Sequence, residues 1–195
     1  MKKYLYVSFL VILIVSCKNK ERDTQEKEVS RLIQKIDNLN DSLVANKMDS
    51  LLEMRLAAST LLIRVKRTYS PKKIDLVFGK KVEDFKQIQR ELKEKKKNGR
   101  RNILGDYILI SKLIQEERAA LSELESDIHQ GLGEQDKYEE YLLFEKRKLS
   151  TITELYKQYL KEKKKFIPRF YKGYKELDVA LSNWEKENLP KKSIK

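Results

Sequence analysis

From Val29 onward the chain repeats apolar residues at intervals of three and four, the period that sets side chains along one stripe of an α-helix. Val29, Leu32, Ile36, Leu39 and Leu43 open the series. Past Leu43 the stripe shifts to Met48, Leu51, Leu52, Leu56, Leu62, Ile63 and Val65, and the pattern predicts one long helix over about 27–68. Ser70-Pro71 supplies a stop and a restart, because proline disfavours helix in the residue before it and suits the first helical position. Ile74, Phe78, Phe85, Ile88 and Leu92 carry a second helix to about Lys96, and Lys97 to Arg101 form the next turn. The third helix is the most regular: Ile103, Tyr107, Ile110, Ile114, Glu117, Leu121, Leu124 and Ile128 alternate steps of four and three, with Glu117 as the one polar member. Gly131-Leu132-Gly133 ends it, and Asp136 is placed to cap its successor. A fourth helix holds Tyr138, Leu142, Leu149, Ile152, Tyr156, Tyr159 and Phe166; Phe170, Tyr174, Leu177, Leu181 and Trp184 follow beyond Pro168, which either breaks the helix or kinks it.

No segment alternates apolar and polar residues as a strand does. Long helices joined by short turns give antiparallel neighbours, and the near-heptad spacing implies coiled-coil-like packing. The expected fold is therefore all-α: an elongated antiparallel helical bundle of four to five helices spanning residues 29–190, with a basic tail at 191–195.

The segment before that body follows a different logic. Lys2 and Lys3 precede an apolar run from Tyr4 to Val15, broken only by Ser8, and the chain then reads Ile14-Val15-Ser16-Cys17. A positive start, a short apolar stretch and a small residue at the end make a secretory signal, and the run is shorter than the roughly 20 residues a spanning helix needs. Ile14-Val15-Ser16-Cys17 resembles the lipobox of bacterial lipoproteins, with an aliphatic residue three places before the cysteine and a small one next to it. That resemblance implies a diacylglyceryl group on the Cys17 sulfur, cleavage on its amino side, and acylation of the new amino terminus. Residues 1–16 are then the signal peptide, and the polar residues of 17–28, which bury no face, a tether between lipid and fold. In enterobacterial lipoproteins an Asp after the cysteine signals retention at the inner membrane. Lys18 stands there instead, which implies an envelope protein of the outer membrane, on its periplasmic or surface face. Cys17 is also the only cysteine, so an internal disulfide and a cysteine metal cluster are excluded.

Composition sharpens the picture of the surface. The formal net charge is +13, and such a balance favours anionic partners. Charged residues make up 37% of the sequence and glycine and proline are scarce, as long helices require.

Catalytic groups are few. His129 is the only histidine, and it falls at the turn before Gly131, where a histidine is ordinarily inert. Glu116, Glu117, Glu123, Glu125 and Asp127 crowd the third helix, but Ser126 occupies the place where a bundle metal site would put a glutamate three residues before the histidine. Gly131-Leu132-Gly133 lacks the lysine and serine of a phosphate loop. The expectation is no enzyme, no metal and no cofactor.

Two lysine runs remain. One joins Lys93, Lys95, Lys96 and Lys97 to Arg100 and Arg101; the other joins Lys161, Lys163, Lys164 and Lys165 to Arg169, Lys172 and Lys175 through Phe166, Phe170, Tyr171 and Tyr174. Basic residues interleaved with aromatics can hold phosphate or sulfate while rings stack on sugars or bases. The same spacing also suits aromatics in a core stripe with lysines on the wet side, and the two readings are compatible. Lys161, Lys163, Lys164, Lys165, Arg169, Lys172 and Lys175 are thus the candidate contact for an anionic partner. The function expected is a lipid-anchored interaction protein that binds a protein or an acidic glycan, with nucleic acid the less expected partner. The competing reading is a structural envelope lipoprotein that self-associates or lies on anionic lipid. The general plan also resembles helical, lysine-rich surface lipoproteins of spirochaetes that act as adhesins, a likeness of fold alone.

Overall fold

A computed structural model describes the backbone of residues 2–46, 48–71, 75–93 and 102–188, with side chains from Lys20 onward. The protein is all-α. Its helices are α1 (Lys2–Ala45), α2 (Met48–Thr68), α3 (Leu76–Arg90), α4 (Ile103–Gln130) and α5 (Tyr138–Asn188), with a short 3-10 turn at Gln135–Lys137. The described residues contain no strand and form a helical bundle.

The long helix expected over 27–68 is two helices, parted between Ala45 and Met48. The break falls where the apolar stripe changes phase, since one straight helix could not keep both stripes on its inner side. The core stripe of α2 is only partly the one expected, with which it shares Leu51 and Val65. Leu51, Met54, Ala58, Leu61 and Val65 are buried, whereas Leu52, Leu56 and Ile63 are 39%, 70% and 50% exposed. At its other end α1 runs through the polar segment of 17–28, expected to be a tether.

The second expected helix starts late, at Leu76. Asp75 caps it: its side chain accepts from the backbone N–H of Val77 at 2.9 Å and of Phe78 at 3.0 Å, two of the donors a helix start leaves without partners. Ile74, expected to open the stripe, and the turn of Lys97 to Arg101 lie outside the described residues. Past Gln130, Gly131 takes φ 67° and Leu132 N–H reaches back to the Asp127 carbonyl at 2.9 Å, the pattern by which a glycine in left-handed conformation closes a helix. Asp136 is not the cap of the next helix; it lies within the 3-10 turn that leads into α5. Pro168 neither breaks nor ends α5. It is exposed, so the carbonyl its missing N–H leaves unpaired faces solvent, and the helix continues.

The chain divides into two compact units. The first joins residues 1–45 to 110–155. Its core is Val29, Leu32, Ile36 and Leu43 of α1 with Ile110, Ile114, Leu121 and Ile128 of α4 and Leu142, Leu149 and Ile152 of α5. Polar bonds pin its helices: Ser30 Oγ donates to Glu125 at 2.7 Å, Arg118 Nε to Asp37 at 2.8 Å and Lys146 Nζ to Glu28 at 2.6 Å.

The second unit joins residues 46–109 to 156–195. Aromatics dominate its core. Phe85 lies 6.0 Å from both Phe170 and Tyr174, and Tyr69 stacks on Phe78 at 4.0 Å. α3 can approach α5 closely because residue 173 is glycine: a Cβ there would stand 2.8 Å from Ile88 Cδ1 and 3.3 Å from the Phe85 ring. Arg64 of α2 adds a charged clamp, donating from Nη1 to Asp178 at 2.8 Å and from Nε to Glu185 at 3.0 Å.

Candidate functional site

The part of α5 that lies in the second unit separates its residue types by face. Tyr159, Phe166, Phe170, Leu177 and Leu181 are buried, while Lys161, Lys164, Lys165, Lys172 and Lys175 are exposed. At 3.6 residues per turn these five lysines fall within about 100° of one another, opposite the buried stripe, on a ridge about 21 Å long. Pro168 lies on this ridge, as does Tyr171, 58% exposed. The core-stripe reading of the segment fits this arrangement: Phe166 and Phe170 are buried, and the lysines other than Lys163 line the outer face.

Two members of the expected contact differ from the rest. Lys163 is not on the ridge; it is buried at 8% exposure, and its ammonium donates to the carbonyl of Asn46 and stands 5.9 Å from the Tyr159 ring centre. Burial pushes its pKa down, because removing water penalises the charged form. Arg169 is exposed but committed to an ion pair with Glu91, its guanidinium 5.7 Å from the Phe166 ring.

On the ridge itself the pairing is light. Lys165 meets Glu162 at 3.1 Å and Lys172 meets Glu176 at 4.0 Å, both within α5 and open to solvent, where such pairs are weak. Lys161, Lys164 and Lys175 have no ion pair among the described residues. Helix geometry thus sets a row of ammonium groups in water with three of them uncommitted. Such a row suits a linear or planar anion better than a pocket ligand. Of the other lysine run, Lys93 is exposed, while Lys95, Lys96, Lys97, Arg100 and Arg101 lie outside the described residues, as does the Cys17 side chain.

A second cluster belongs to the first unit. Glu117 is 1% exposed, and its carboxylate lies 2.8 Å from Lys148 Nζ, which also reaches Glu145 at 2.7 Å. Burial raises the Glu117 pKa to about 7, against the pull of Lys148. Burial works against the charge on Lys148, but its hydrogen bonds to Glu117 and Glu145 prevail and its pKa rises. The sequence marks Glu117 as a polar intruder in a core stripe and gives no sign of Lys148 as its partner, because that pairing spans two helices.

His129 stands at the end of α4, largely exposed, with Nδ1 3.3 Å from Glu26. Its neighbours Ser30 and Ser126 are bonded to Glu125 and Gln130, an arrangement without the serine–histidine hydrogen bond of a nucleophilic site. Among the described residues no group of three or more histidine, cysteine or acidic side chains is placed to hold a metal ion, and no helix is long and apolar enough to cross a membrane. No family model, curated protein or solved structure matches the chain.

Proposed function

We propose that this protein is a non-catalytic, lipid-anchored interaction module of a bacterial envelope, tethered through Cys17, whose α5 ridge holds an anionic polymer such as an acidic glycan. The observation that carries the reading is the ridge: five exposed lysines on one helix face, three of them without an ion pair among the described residues. The fold can keep these charges exposed because the opposite face of the same helix supplies the aromatic core. The anchor rests on the lipobox resemblance at Ile14-Val15-Ser16-Cys17. Outer-membrane placement follows from Lys18 and belongs to the same proposal.

The test is binding to a sulfated glycan such as heparin as salt is varied. Several lysines neutralising one polymer give an affinity that falls steeply with ionic strength, as the Debye length shortens to about 8 Å near physiological salt. Replacing Lys161, Lys164, Lys165, Lys172 and Lys175 by Gln abolishes this binding and leaves helicity intact, since exposed lysines add little to folding. The control replaces five exposed basic residues elsewhere, Lys27, Lys35, Lys80, Lys81 and Lys112, and so removes equal charge. Equal losses from both variants would mean diffuse attraction and no site.

A further inference from the structure

The helix α2 is apolar on two sides, of which one is buried and the other only partly covered. Its inner stripe of Leu51, Met54, Ala58, Leu61 and Val65 is buried in the second unit. Its outer stripe is Leu52, Leu56 and Ile63, at 39%, 70% and 50% exposure. At 100° per residue these three lie within about 40° of one another and about 160° from the middle of the inner stripe. A surface helix ordinarily needs a single apolar stripe, with charged and polar residues opposite. Two stripes on one helix suit two packing partners, and the fold covers the second only in part, leaving Leu56 the most open.

The charges beside the outer stripe identify the second. Asp49 lies in the first turn of α2 and Arg67 in the last, both exposed. They are separated by about five full turns, so they flank the stripe on the same side, one at each end. In an antiparallel pair of identical helices the same flank of each copy meets the other. Asp49 of one copy then faces Arg67 of its mate, and the two-fold axis makes that pair twice. The axis passes near residue 58, so Leu56 of each copy packs over Thr60 of the other, and Leu52 and Ile63 close the two ends of the seam. The helix dipoles are also opposed, which is the favourable sense.

We infer that the chain forms a two-fold homodimer through the outer face of α2, with Leu52, Leu56 and Ile63 as the seam and reciprocal Asp49–Arg67 pairs fixing the antiparallel register. The helix has 21 residues and is therefore about 31 Å long. A seam of one such helix per copy sits at the small end of specific interfaces, so the dimer is reversible and dissociates on dilution. The surface is distinct from the α5 ridge, and neither claim depends on the other.

Sedimentation equilibrium of the full chain in mild detergent, read across a dilution series, tests the inference. The wild-type chain shows a monomer–dimer equilibrium. Leu56→Glu sets a charge beside the axis from both copies and leaves the chain monomeric with its helicity unchanged. Asp49→Arg sets like charges against each other at both ends of the seam and weakens association by about tenfold. Asp49→Arg combined with Arg67→Asp restores it, because the reversed pairs are again complementary. A wild-type chain that stays monomeric, with or without a different protein bound on α2, overturns the inference. So does a double variant no tighter than Asp49→Arg, a readout that stands even if Leu56→Glu disturbs folding.

Discussion

Glu117 occupies a core position of α4 at 1% exposure, and its ionisation is therefore set against the stability of the first unit. Its pKa is raised to about 7 in the fold from an ordinary 4.5. The neutral form suits the fold, so this group's contribution is fully present below pH 4.5 and is lost as the pH rises through 7. Glu28 and Glu185 shift the opposite way, lowered by hydrogen bonds to Lys146 and Arg64, and their contributions are lost only as the pH falls below the ordinary carboxylate range. Thermal unfolding followed by circular dichroism should accordingly give a lower midpoint at pH 8 than at pH 5. Glu117→Gln should flatten that difference and raise the midpoint at pH 8. A midpoint that climbs between pH 5 and pH 8 in the wild type would contradict the assignment. Lys163 makes the complementary case. The run of lysines hides its phase, yet it sits four residues after Tyr159 and three before Phe166, on the stripe that is buried. Lys163→Glu should cost about 3 kcal/mol or more, as reversal of a buried hydrogen-bonded charge does. Lys164→Glu, one residue on and exposed, should leave the unfolding midpoint nearly unchanged.

At the scale of elements, the pattern of apolar residues located the helices more reliably than their ends. Spacings of three and four are local, and α4 and both halves of α5 could be read from them directly. Ends depend on single side chains. Asp75 starts α3 through two hydrogen bonds, and Asp75→Ala should cost about 1 kcal/mol in denaturant unfolding. An unchanged midpoint would show that another group takes over the cap. Pro168 could have ended a helix, and what lets α5 pass through it is the exposure of that face, a property that only the packed arrangement decides. Gly173 is similar: within α5 it reads as a weak point, but the structure uses it to bring α3 against the helix. Gly173→Leu should destabilise by about 2 kcal/mol through overpacking against Phe85 and Ile88. Gly173→Ala should be far milder, since the nearest atom is the end of the Ile88 side chain and alanine favours helix. Similar losses from both variants would argue against steric closeness as the reason for glycine. The outer stripe of α2 was legible as apolar residues and misread as core, because periodicity reports a face and not what lies against it.

For the whole molecule, the all-α bundle follows from the sequence because period and charge content agree along nearly the entire body. The division into two units was not legible, since it depends on contacts among residues far apart in sequence. The lysine ridge was half legible: its residues were evident and the phase of Lys163 against Tyr159 and Phe166 sets it apart, whereas the commitment of Arg169 to Glu91 needed the neighbour that α5 meets. The functional account unites that ridge with an anchor at Cys17, and the anchor is the claim most open to direct measurement. Mass spectrometry of the protein recovered from the envelope fraction of its cells should find an amino-terminal peptide that begins at Cys17 and carries a diacylglyceryl group, and metabolic labelling with a fatty acid should be abolished in Cys17→Ala. A mature chain that retains residues 1–16, or fatty-acid label that persists in Cys17→Ala, would contradict the account.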